Sequence, residues 1–64
     1  MKIKYDKEAD ALYLLFSEAS VVESDEDKPG VIIDYDKDGN VVGIELLQAS
    51  HKAGEPASVV YELV

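Results

Sequence analysis

Apolar and polar positions alternate through most of the chain, and the alternation breaks at a few turn-forming clusters. The clearest stretch is Val31-Ile-Ile-Asp-Tyr-Asp-Lys-Asp-Gly-Asn-Val-Val-Gly-Ile-Glu-Leu-Leu47, two β-branched runs around Lys37-Asp38-Gly39-Asn40. Asp-Gly between such runs is a strong hairpin signal. With Asp36 facing Val41, residues Val31, Ile33 and Tyr35 share a face with Val42, Ile44 and Leu46. The opposite face then carries Ile32, Asp34 and Asp36 beside Val41, Gly43, Glu45 and Leu47. A slip of one residue would divide the apolar set between core and water, so one-sided burial fixes this register.

A second hairpin is expected near the start. Ile3 and Tyr5 point one way and Lys2, Lys4 and Asp6 the other. Lys7-Glu8-Ala9-Asp10 forms the turn and Ala11-Leu-Tyr-Leu-Leu-Phe16 the return strand. With Asp6 facing Ala11, residues Ile3, Tyr5, Leu12, Leu14 and Phe16 share a face. The return strand is apolar on both sides, which suits a central or covered position. A short helix over Glu8–Phe16 is the competing reading, since Ala, Leu and Glu favour helices. The parallel with the second hairpin argues for strands: Ile3, Tyr5, Asp6 and Lys7 recur 30 residues later as Ile33, Tyr35, Asp36 and Lys37. Shared patterning rules explain that offset more readily than duplication does.

Between the hairpins, Val21–Ser24 reads as a short strand pairing with a neighbour. Asp25–Gly30 reads as an acidic loop closed by Pro29-Gly30. Residues 47–53 lack a period of two and favour one short helix, stopped by Gly54 and Pro56. Ala57–Val64 reads as a C-terminal strand with Val59, Tyr61 and Leu63 on one face. Left as an edge, it would invite pairing with another chain. The expected fold is α+β, mainly β: two antiparallel hairpins in a small meander sheet, a helix near 47–53 and a final strand, in one domain spanning 1–64.

Composition narrows the function. At 64 residues a single core is barely sufficient. With no cysteine, neither disulfides nor Cys-based metal sites can help, and the lone His51 cannot build a structural zinc site. Oligomerisation remains, and a homodimer is the expectation. The net charge is −8, from 14 acidic and 6 basic residues, and all six basic residues are lysines. Phosphate backbones are bound by basic side chains, so neither direct nucleic-acid binding nor attachment to an anionic membrane is expected. A basic protein partner suits this surface. No apolar run approaches membrane-spanning length and the N-terminus lacks a signal-peptide core, so the expected location is cytoplasmic.

One chemical motif stands out. Asp34-Tyr-Asp36-Lys-Asp38-Gly39 followed by Glu45 fits the calcium-loop pattern D-x-[DN]-x-[DN]-G-x₅-E. Alternate carboxylates with a distal Glu would give a hard cation its oxygen cage. The flanks are strand-like where an EF-hand needs helices, and Asp also serves to bend turns. A calcium- or metal-binding protein using Asp34, Asp36, Asp38 and Glu45 is therefore the alternative reading. Catalysis finds less support: Ser50 and His51 are adjacent, an arrangement that does not make them face each other on a helix. Glu8 and Asp10 share a turn that offers no pocket. No catalytic residue, cofactor or enzymatic activity is expected.

Tyr5-Asp-Lys-Glu-Ala-Asp-Ala-Leu-Tyr13, then Gly30–Leu47 and Ala49-Ser50, resemble a prokaryotic family of small acidic proteins of unknown function. That family carries YD-x-EADALY and DYD-x-x-G-x-x-x-GIEIL-x-AS motifs. The resemblance covers about residues 2 to 52 and implies a small β-rich domain with a short helix after the second hairpin. It supplies no activity and no site residues. His51-Lys52 stands where the family usually continues with basic residues. The occurrence of some members beside small RelE-like ribonuclease toxins would imply an antitoxin-like role toward a small basic protein.

Overall fold

The computed structural model describes residues 1–64. Five strands form one antiparallel sheet: β1 (Lys2–Asp6), β2 (Ala11–Leu15), β3 (Glu23–Lys28), β4 (Val31–Tyr35) and β5 (Val41–Leu47). One short helix follows, α1 (Ala49–Lys52). The fold is thus mainly β, as the alternation predicts.

The first hairpin takes the expected register throughout; the second takes it from Val31 to Asp34, and the expected pairing of Asp36 with Val41 is corrected. In the first, Asp6 faces Ala11 and Ile3 faces Leu14. In the second, Val31 faces Leu46 and Ile33 faces Ile44, until a bulge at Asp34/Tyr35 sets Tyr35 opposite Val41. The bulge lets the loop close with the Asp36 N–H donating to the Asn40 carbonyl at 3.0 Å. Asp6 and Asp36, the two positions related by the 30-residue offset, do the same work. Asp6 Oδ1 accepts the Ala9 N–H at 3.1 Å, and Asp36 Oδ1 accepts the Asp38 and Asn40 N–H groups at 2.9 Å.

The strand order is β1-β2-β5-β4-β3, which corrects the expected meander. The connection from β2 to β3 passes over two strands, and β2 pairs instead with β5. Leu14 lies directly opposite Ile44 in that pairing, its counterpart at the offset of 30. The two hairpins therefore meet edge to edge about a local twofold axis. β2 and β5, the most apolar strands, take the centre, where both faces of a strand need cover.

Three other expectations are corrected. The strand expected over Val21–Ser24 begins two residues later, and the segment expected as an acidic loop is itself β3. Glu23–Lys28 is exposed at every position and is held by its backbone ladder to β4. Pro29-Gly30 then makes a tight turn with Gly30 at φ +77°. The short helix expected near 47–53 is present as one turn within that span, starting after Gln48, whose left-handed φ 52° breaks the chain direction. The C-terminal strand is absent: Ala57–Val64 pairs with nothing in the single chain. β-Propensity supplies a conformation but no ladder partner, and the segment makes none of the sheet's hydrogen bonds.

The core is thin. Ala11, Leu12, Val42 and Ala49 are its buried apolar residues, and no large side chain is fully buried. The chain is a slab of 33 × 31 × 19 Å. Its radius of gyration is 12.3 Å, against about 11 Å for a compact domain of this length. No helix is long and apolar enough to cross a membrane.

Candidate functional site

The pairing registers sort the side chains into two unlike faces. One carries Ile3 and Tyr5 from β1, Leu12 and Leu14 from β2, Ile44 and Leu46 from β5, and Val31 and Ile33 from β4. Two cross-strand rows run through it, Ile3–Leu14–Ile44–Ile33 and Tyr5–Leu12–Leu46–Val31. Such apolar rows normally lie beneath a second layer. Here Leu12 is buried, while Leu14, Ile44, Ile33, Leu46 and Val31 are only half-buried and Ile3 is 41% exposed. The accessible area totals 4984 Å², about 1,000 Å² above the roughly 4,000 Å² expected for a compact monomer of this mass. Much of that excess belongs to residues 57–64, where Val60, Tyr61, Leu63 and Val64 are almost fully exposed.

The other face is mixed. The row Lys4–Tyr13–Glu45–Ile32–Glu26 crosses all five strands. Lys4 Nζ lies 6.0 Å from the Tyr13 ring centroid, the outer limit of a cation–π contact. Burial, and then the charge of Asp34, raise the Glu45 carboxyl above its ordinary value. Asp34 itself accepts the Ser24 hydroxyl at 2.6 Å and so ties β3 to β4.

One polar cluster joins distant parts of the chain. Asp10, at left-handed φ 51°, accepts the Tyr5 hydroxyl at 2.7 Å on Oδ1 and the Ser50 hydroxyl at 2.6 Å on Oδ2. The Ser50 N–H donates to Oδ1 at 3.0 Å, and the Ala49 N–H donates to the Asp10 carbonyl at 2.9 Å. The first hairpin turn thereby anchors the start of α1. The Ser50 hydroxyl, then the Tyr5 hydroxyl, hold the Asp10 carboxyl below its usual range. The same bond raises the Tyr5 phenol. With its hydroxyl committed to Asp10, Ser50 is part of a clasp rather than a nucleophile paired with His51. Asp10 is likewise drawn toward Tyr5 and Ser50 rather than into a pair with Glu8.

The four candidate metal ligands are dispersed. Asp36 is turned onto its own loop amides, with the Asn40 N–H as the largest cause of its lowered pKa. Asp38 is exposed at the tip, Asp34 is bonded to Ser24, and Glu45 faces Ile32 across the ladder. Asp34 and Glu45 share a face, but no three His, Asp or Glu side chains converge on a point that could hold a metal ion. The clasp of Tyr5, Asp10 and Ser50 escaped the sequence reading because 40 residues separate its members. Its only trace was that both stretches fall within the segments carrying the family resemblance.

Comparison with known proteins agrees with that resemblance. The chain is 44% identical over 50 residues to an uncharacterized protein of Methanocaldococcus jannaschii. The alignment takes in 78% of this chain, which spans only 42% of that relative's length. No solved structure matches. Residues 2–50 match the family described as protein of unknown function, DUF2283, covering both hairpins, β3 and the Tyr5–Asp10–Ser50 clasp. The chain belongs to the DUF2283 family.

Proposed function

We propose that this chain is a non-enzymatic protein-binding module that acts as a homodimer and presents its acidic surface to a basic protein. The observation that carries the reading is the row Ile3–Leu14–Ile44–Ile33, half-buried or exposed at every position on a single-layer sheet. An open antiparallel sheet with one apolar face needs a second layer, and a second copy supplies a matching one. Sedimentation equilibrium of the full chain over micromolar to millimolar concentration tests this. A dimer is expected in the wild type, and Ile3→Lys, at an already half-exposed edge position, is expected to weaken it at least tenfold while far-UV circular dichroism stays unchanged. A wild type that is monomeric throughout overturns the reading.

The second half of the proposal rests on charge. Fourteen acidic residues against six lysines, four of the acids on β3, favour encounter with a positively charged protein. The family resemblance gives this a specific form, an antitoxin-like partner of a small basic ribonuclease in the cytoplasm. Co-expression with the neighbouring gene product tests it: a complex that dissociates with rising salt supports it, and separate elution of the two proteins at low salt sinks it.

A further inference from the structure

Residues 57–64, Ala-Ser-Val-Val-Tyr-Glu-Leu-Val, are rich in strand-forming side chains yet join no strand. Val59 is 58% exposed, Val60 80%, Tyr61 78% and Leu63 90%. They leave the body at a turn in which the Ser58 N–H donates to the Glu55 carbonyl at 3.0 Å, next to the buried Pro56. Apolar side chains held this far into water are a cost that strand addition would remove.

The sheet offers two free edges of opposite character. β3 is Glu-Ser-Asp-Glu-Asp-Lys, with four carboxylates. β1 is Lys-Ile-Lys-Tyr-Asp, with Lys2 and Lys4 on the mixed face and Ile3 and Tyr5 on the apolar face. The segment alternates to match β1: Val59, Tyr61 and Leu63 fall on one side, Val60 and Glu62 on the other. Laid antiparallel on β1 with Tyr61 opposite Ile3, it widens the apolar face and sets Glu62 opposite Lys2. Leu63 then falls opposite Met1, at an open groove of about 480 Å³ whose lining includes Met1, Leu15, Phe16 and Val42. On β3, Glu62 would meet like charges, which destabilise a cross-strand pair.

We propose that residues 57–64 of each copy add as an antiparallel strand to the β1 edge of a second copy, with Glu62 beside Lys2 and Lys4. The segment leaves its own β1 edge empty, and reciprocal donation gives a closed twofold dimer. This rests on the homodimer reading and names a second contact within it.

The chain has no cysteine, so disulfide trapping is clean. Lys2→Cys and Glu62→Cys copies are mixed, oxidised and analysed by intact mass. Directly opposed residues on paired strands lie close to disulfide distance. The mixed Lys2→Cys/Glu62→Cys disulfide is expected at no less than ten times the yield of a control mixing Asp25→Cys with Glu62→Cys. Equal yields overturn the proposal. So does a single chain carrying both substitutions that closes on itself at high dilution. Sedimentation of the wild type separates the two failures: a dimer without selective trapping removes the strand exchange alone, and a monomer removes the homodimer as well.

Discussion

Gly43 gives the sharpest test of the central packing. It lies in β5 between Leu15 of β2 and Asp34 of β4, and it is buried. Its φ is not in the left-handed region, so alanine meets no backbone strain there. A Cβ would instead stand 2.6 Å from the Leu14 carbonyl oxygen and 3.5 Å from Leu15 Cδ2. The near atom is backbone in the central ladder and cannot swing aside, so β2 and β5 must separate locally. Overpacking of this kind costs about 1–3 kcal/mol. The smaller entropy of the unfolded alanine chain offsets about 0.4–1 kcal/mol, which leaves a net cost for Gly43→Ala of roughly 1.3 kcal/mol at mid-range. A chain of this size is stable by roughly 3–10 kcal/mol in total, and each kcal/mol moves the melting temperature by about 4–8 °C. The expected drop is therefore about 5–10 °C. The assay is thermal unfolding followed by far-UV circular dichroism at fixed protein concentration, with the melting temperature expected to fall by that amount. A Gly43→Ala variant as stable as the wild type would refute the close approach of β2 to β5.

The remaining predictions probe the polar clusters. Asp10 has a lowered folded-state pKa, so its contribution is present above its ordinary value of 3.8 and is lost as pH falls through the folded pKa. Asp10→Asn should therefore lower the melting temperature most near pH 7, with the gap closing at acid pH; a gap constant from pH 7 to 2 would contradict the clasp. Glu45 behaves oppositely. Its raised pKa means stability is fully present below its ordinary 4.5 and lost as pH rises through the folded value. Glu45→Gln should melt higher than wild type at pH 7 and equal to it near pH 4, and a lower melting temperature at pH 7 would count against that burial. Gly39 at φ +81° has nothing near its missing Cβ, so Gly39→Asn, which tolerates left-handed backbone, should cost less than Gly39→Ala; equal losses would contradict the turn. Because the four Asp/Glu candidates do not converge, millimolar calcium should raise the melting temperature no more than sodium chloride of equal ionic strength; a rise specific to calcium would restore the metal reading.

The sequence by itself determined the two hairpins and their pairings. Alternation with one buried face leaves a single register, and Asp6 and Asp36 close turns that are local in the chain. It could not determine β3, because Glu23–Lys28 has little strand propensity and is a strand only through the ladder that β4 offers it. Nor could it place Ala57–Val64, where the strand pattern is strong but no edge of the same chain takes it up. Strand order and the Tyr5–Asp10–Ser50 clasp were decided by tertiary structure alone. Both depend on which distant groups meet once two hairpins pack edge to edge, and a local pattern records only what each segment needs, not which segment answers it.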